Sequence, residues 1–149
     1  MTTLRELLNP DLGVVSIPAD ATVREAAKKM AEVNVGCVCI LDEKGRLLGL
    51  FTERDILKRV LLKDLRTDAT RVSEVMTRQI VTARPEQPHT DGMRLMREHH
   101  IRHLPVVEPD GTVLGVLSIR DLVREEARQA RRTAEAVRNF IQDAEPFGG

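Results

Sequence analysis

The stretch at 49–55 reads GLFTERD, and the stretch at 115–121 reads GVLSIRD. Each spells glycine, two apolar residues, a hydroxyl residue, two variable residues and an aspartate, at an offset of sixty-six positions. The same offset superimposes Val15 on Val81, Met30 on Met96, Gly45 on Gly111, Leu48 on Leu114 and Arg54 on Arg120, with no gap. Two copies are too few for a solenoid, which needs three or more to bury its faces. A duplicated half-domain that closes on itself with pseudo-twofold symmetry fits better.

Each half has one order of elements. VVSIPAD starts as an apolar strand and ends in a Pro-bearing turn. In TVREAAKKMAEVN, Val23, Ala26, Ala27, Met30 and Ala31 recur at helical spacing behind Thr22, a candidate N-cap. Cys37–Leu41 and Leu47–Thr52 form a strand pair around DEKG. ERDILKRVLL then reads as an amphipathic helix. The second half repeats this with IVTA, TDGMRLMREHH, HLPVVEPDGTVLGVLS and IRDLVREEARQA. Gly92 weakens its helix by about 1 kcal/mol relative to Ala. Pro105 is expected near the start of its strand, where a missing N–H is tolerated.

The expected divisions are 1–62 for the first repeat, 63–79 for a linker and lead-in helix around Val72–Met76, 80–126 for the second repeat, and 127–149 for a helical extension and tail. From Ile119 to about Asp143 the helical pattern does not stop, and no Gly or Pro intervenes before Pro146. Leu122, Val123, Ala127, Ala130, Ala134, Val137 and Ile141 are its apolar positions. Such a helix of roughly 24 residues reaches about 36 Å. It either packs on its own body or meets a second copy.

Twenty-three basic residues balance twenty-three acidic ones, so no net charge draws the chain to nucleic acid or an anionic membrane. Three Phe, no Tyr and no Trp leave an aliphatic core and no stacking platform for single strands. No apolar run approaches the ~20 residues of a membrane span. MTTLRELLNPD lacks a signal-peptide profile, so a cytoplasmic location is expected. Cys37 and Cys39 share one side of a strand and read as small buried hydrophobes. His99, His100 and His103 lose chelating spacing where a strand begins, and no metal site is expected.

Glycine normally weakens a strand, so Gly49 and Gly115 suggest a close approach to the backbone. Thr52 and Ser118 are placed to cap the following helices, with Asp55 and Asp121 in their first turns. A helix N-terminus suits phosphate, a hydroxyl adds a donor, and a carboxylate accepts from a sugar diol. Ordinary capping explains the same residues.

Taken together, the tandem order of strand, helix, strand, strand, Gly-h-h-Ser/Thr-x-x-Asp and helix resembles a pair of cystathionine β-synthase (CBS) domains, the Bateman module. IRHLPVV at 101–107, VMTRQIVT at 75–82 and FTERD at 51–55 strengthen the likeness, which covers about residues 4–125. The resemblance implies a mixed α/β (α+β) fold of two βαββα repeats, with sheets packed together and two clefts between the halves, here followed by the long C-terminal helix. It implies adenosine-containing ligands (AMP, ADP, ATP, NAD(H) or S-adenosylmethionine) and a disc-shaped homodimer.

By position, Asp121 and Asp55 would hold ribose hydroxyls, while Ser118 and Thr52 would contact phosphate or ribose. Val15, Ser16, Ile17 and Pro18, with Ile80, Val81, Thr82 and Ala83, would line adenine pockets. Arg102 and His103 fall on Gly36 and Cys37, so a phosphate-binding site is expected in the second half around Asp121, Ser118, Arg102 and His103. The first-half site is expected to lack those cations. Arg120 departs from the Gly of many relatives. No nucleophile motif, metal cluster or P-loop is present, so the expected function is a non-catalytic sensor of adenine nucleotides acting on an unidentified regulated protein. The alternative is an assembly module without a nucleotide.

Overall fold

Thr22 opens the first long helix through a reciprocal cap. Its hydroxyl accepts from the Glu25 N–H, and the Glu25 carboxylate accepts from the Thr22 N–H. The resulting helix α2 (Val23–Val33) buries Val23, Ala26 and Met30, and it stops at Asn34 in the left-handed conformation. Ala31, at helical spacing with them, faces solvent. The protein is described by a computed structural model over residues 1–143. Pro146 and the tail from 144 lie outside the described residues.

In chain order the elements are α1 (Leu4–Leu7), β1 (Ser16–Pro18), α2, β2 (Cys37–Leu41), β3 (Leu47–Thr52), α3 (Glu53–Asp55), α4 (Val72–Val75), α5 (His89–His99), β4 (His103–Val107), β5 (Val113–Ser118) and α6 (Ile119–Asp143). The first half carries a three-stranded sheet in the order β1–β2–β3, with β1 parallel to β2 and β2 antiparallel to β3. The second half carries only the antiparallel pair β4–β5.

The strand expected over IVTA is thus reduced to one parallel bridge, Ala83 to Val106. Pro105 supplies the physical reason. In the first half the Cys39 N–H donates to the Val15 carbonyl at 2.9 Å. The repeat puts Pro105 where Cys39 stands, and proline has no N–H to donate to Val81. Only the bonds around Ala83 survive: its N–H donates to the Pro105 carbonyl, and its carbonyl accepts from the Val107 N–H. Pro105 lies in the middle of β4, not near its start.

One further expectation is corrected. ERDILKRVLL is not one amphipathic α-helix: after Asp55 it widens into a π-helical stretch (Ile56–Val60) and ends in a 3-10 turn (Leu61–Lys63). Only Asp55 and Val60 are buried along it, while Leu57, Leu61 and Leu62 are exposed. Helix α6 packs on the body only through its first part, and from Arg131 to Asp143 every residue is exposed.

Helix α1 escaped the periodicity argument because it is one turn long, although Thr3 and Glu6 spell a capping box. It belongs spatially with the second half. The Leu4 and Arg5 N–H groups donate to the Gln87 and Pro85 carbonyls, and Leu4 is buried with Met96, Leu104, Val106 and Leu122. Helix α4 does the same for the first half, where Val72, Val75 and Met76 join Val23, Met30, Ile40 and Phe51. A third cluster joins Cys37, Cys39 and Leu50 to Val113, Val107 and Val116, so the two sheets pack face against face. Burial pushes the Cys39 thiol up to about 11 and the Cys37 thiol higher still, as befits small core hydrophobes.

The strand glycines admit the protein's own segments. A Cβ on Gly49 would lie 2.5 Å from Met76 Sδ and 2.9 Å from the Thr77 carbonyl oxygen, and one on Gly115 would lie 2.9 Å from Leu8 Cδ2. Gly92 likewise lets α5 approach Leu4 and Leu122. No helix among the described residues is long and apolar enough to cross a membrane.

Candidate functional site

Each copy of the repeated motif closes a reciprocal cap where a strand becomes a helix. The Asp55 N–H donates to Thr52 Oγ1 at 3.2 Å, and the Thr52 N–H donates to Asp55 Oδ2 at 3.0 Å. In the second half the Asp121 N–H donates to Ser118 Oγ at 3.4 Å, and the Ser118 N–H donates to Asp121 Oδ2 at 2.8 Å. Hydroxyl-x-x-Asp is therefore a capping box in both halves.

The two carboxylates differ in what else they meet. Asp55 is buried and accepts a further bond from Thr77 Oγ1 at 3.0 Å, with Arg59 Nε at 3.5 Å. Asp121 is half-buried, and its Oδ1 accepts no hydrogen bond among the described residues.

A cleft of about 270 Å³ opens between the halves. Gly36, Leu50 and the Thr52–Asp55 corner line it from the first half, Thr77 and Gln79 from the linker, and Ile80, Val81 and His100–His103 from the second. Leu50, Ile80, Val81 and Ile101 give it apolar wall. Arg54 and Arg102 bring two exposed guanidinium groups to its rim. His103 lies deeper. Burial pulls its imidazole below the ordinary value, Glu53 and Asp121 oppose that shift, and Arg102 and Arg54 add to it. Gly36 lies between the two sides: a Cβ there would start 3.5 Å from His103 Nε2 and 3.4 Å from Glu53 Oε2.

The structure brings six of the sequence candidates to this cleft: Thr52, Asp55, Ile80, Val81, Arg102 and His103. Ser118, Arg120 and Asp121 do not line it. Thr82 is exposed, Ala83 is buried beside β4, Ile17 is buried in the first core, and Pro18 is exposed on the edge strand β1. Arg102 and His103 thus line the cleft that holds Thr52 and Asp55 while staying beside the second-half motif: His103 pairs with Ser118 across β4–β5, the Ile119 N–H donates to the Arg102 carbonyl, and Asp121 acts on the His103 ring. The first-half corner, expected to lack cations, faces Arg102 and carries Arg54. Face-to-face packing of the sheets sets the β3–α3 corner of one half opposite the strand lead-in of the other, whereas the repeat aligns residues within each half.

Glu53, Arg54, Thr77, Gln79 and His100 were not singled out as site residues. Arg54 had a signal as the repeat partner of Arg120, and Glu53, Thr77 and Gln79 lie within the stretches FTERD and VMTRQIVT. Packing between the halves brings them to one cleft.

The CBS domain family model matches residues 4–62 and 72–128. The mitochondrial CBS domain-containing protein CBSX3 of Arabidopsis thaliana is 33% identical over 127 residues, which cover 83% of this chain and 61% of that protein. The chain spans 61–66% of the length of the first curated relatives it matches. Among solved structures, the CBS domain protein PAE2072 from Pyrobaculum aerophilum, complexed with AMP, is 34% identical with a TM-score of 0.74, over 80% of this chain and 89% of that one. The CBS domain pair of MJ0100, in complex with 5′-methylthioadenosine and S-adenosyl-L-methionine, is 27% identical with a TM-score of 0.78, over 87% of this chain and 98% of that one. The chain belongs to the CBS domain family and carries two of its domains as a tandem pair.

Proposed function

We propose that the chain is a non-catalytic regulatory module that binds a phosphate-bearing adenosine ligand (AMP, ADP, ATP or NAD(H)) in the cleft between its halves. The supporting observation is the convergence on one cleft of an apolar wall, two guanidinium groups and a capped strand-to-helix corner. Ile80 and Val81 suit the face of an adenine. Arg54 and Arg102 suit phosphate, which guanidinium binds as a two-pronged donor. Thr52 and Asp55 suit a ribose. PAE2072 was crystallised with AMP, and MJ0100 with two adenosine derivatives that carry no phosphate. The paired arginines favour the AMP-like ligand. Binding across the two halves biases their relation, and a regulated protein reads the change.

The same reading includes pairing with a second copy. Leu57 and Val123 occupy equivalent repeat positions, and both are exposed.

One observation favours the alternative of an assembly module. The Asp55 carboxylate already accepts from Thr52 and Thr77, so a ribose must share it with those donors. A thermal-shift panel of AMP, ADP, ATP, NAD, NADH and S-adenosylmethionine separates the two. A ligand at 100 times its dissociation constant adds about 2.7 kcal/mol of stability. A shift with phosphate-bearing adenylates supports the sensor, and no shift with any of them supports assembly.

A further inference from the structure

Helix α6 carries two faces. Leu122 and Glu125 are buried against the body, where Thr2 donates to Glu125 at 2.6 Å and Arg128 of the same helix adds a second bond of 2.6 Å. The other face consists of Val123, Ala127, Ala130, Ala134, Val137 and Ile141, all exposed. Their spacing alternates four and three residues throughout, which is the heptad pattern of a coiled-coil seam. At 3.6 residues per turn this seam lies roughly 130° around the helix from the buried face, so the body does not obstruct it. Among the described residues nothing covers α6 from Arg131 to Asp143, and an isolated helical segment of this length is marginal in water.

The flanks of the seam are unlike. One carries Arg124, Arg131 and Arg138 at intervals of seven, and the other carries Glu126, Thr133 and Phe140. Antiparallel pairing sets like flanks together and would face three arginines with three more. Parallel pairing sets each flank beside the opposite one, with Glu126 of one copy, whose Oε2 also lies 3.0 Å from His89 Nε2 of its own body, against Arg131 of the other. The alanines at 127, 130 and 134 let the backbones approach closely, and Val137 and Ile141 give the projecting end its apolar anchor.

We propose that α6 pairs with α6 of a second copy as a parallel two-stranded coiled coil from Val123 to Ile141. This specifies how two copies meet and rests on the pairing reading above, but not on any ligand. The Glu126–Arg131 contact sets orientation, since exposed ion pairs add little to affinity.

The full chain is to be followed by sedimentation over a concentration series, together with Val137→Asp and Arg131→Glu. Both positions are exposed, so neither change disturbs the fold of the body. Val137→Asp buries a charge in the seam and is expected to raise the dimer dissociation constant at least about tenfold. Arg131→Glu is expected to raise it in the same direction by a smaller factor. Ile141→Cys, mildly oxidised, is expected to give a covalent dimer, because parallel pairing sets residue 141 beside its own copy. The two natural cysteines are buried and do not compete. A monomer at every concentration overturns both the pairing reading and the coiled coil. A dimer unaffected by Val137→Asp overturns the coiled coil alone and leaves pairing through the body. A dimer that Val137→Asp weakens but Ile141→Cys cannot cross-link overturns the parallel orientation.

Discussion

Thr77, on the segment that joins the halves, donates a hydrogen bond to the buried carboxylate of Asp55 at 3.0 Å. The linker thereby completes the acceptor shell of the first-half cap. Thr77→Val keeps the shape and removes the donor. It is expected to lower stability by about 1.5–3 kcal/mol, the usual worth of a hydrogen bond to a charged group. Urea unfolding checks this, and an unmoved midpoint would mean that Thr52 alone satisfies Asp55.

The two strand glycines are expected to differ on substitution. At Gly49 an alanine methyl meets Met76 and the Thr77 backbone, which is fixed by paired bonds with Leu50. At Gly115 it meets only the end of the Leu8 side chain, which can turn away. Gly49→Ala is expected to cost about 1–3 kcal/mol by overpacking, and Gly115→Ala clearly less. Equal losses in chemical denaturation would contradict this.

Most of the architecture was legible because it rests on local patterns. Thr22 with Glu25, the two apolar runs on either side of DEKG, and the unbroken run from Ile119 each announce an element without help from the rest of the chain. The repeat added the relation between halves. What was not legible came from pairing at a distance. The missing strand before Ala83 depends on one proline donor absent from a neighbouring strand. The site was half legible for the same reason: Thr52, Asp55, Arg102 and His103 stand out as residues, but the cleft that joins them exists only once the sheets have packed.

Glu125 gives a pH dependence of stability. Its Arg128 hydrogen bonds, aided by Thr2 and Gln129, hold the carboxyl at about 2, below the ordinary 4.5. A depressed value stabilises the fold above pH 4.5, and the contribution is lost as pH falls toward 2. Glu125→Gln is therefore expected to be less stable than the parent at pH 7 and to converge with it near pH 2. A constant difference across that range, in thermal unfolding, would remove the ionised carboxylate from the explanation.

Under the proposed function, His103 couples ligand binding to protons. Burial lowers its value in the free protein, so its neutral form prevails at pH 7. Stability is expected to fall as pH drops below the ordinary 6.5, where the unfolded chain takes up the proton first. A phosphate nearby favours the charged ring, so AMP binding near pH 6.5 is expected to take up protons. Glu53 and Asp121 act in the same sense, against Arg54 and Arg102. The calorimetric binding enthalpy should then vary with the ionisation enthalpy of the buffer, and His103→Gln should abolish that variation.

Calorimetric titration of AMP into the parent chain and Arg102→Ala tests the central claim most directly. Arg102 is exposed at the cleft rim, so its removal leaves the fold intact. Saturable binding to the parent, weakened roughly tenfold or more in Arg102→Ala, is the expected result, given the strength of a charge-assisted contact to phosphate. Binding that is identical in the two proteins would contradict the assignment of the cleft, and no binding to either would contradict the sensor itself.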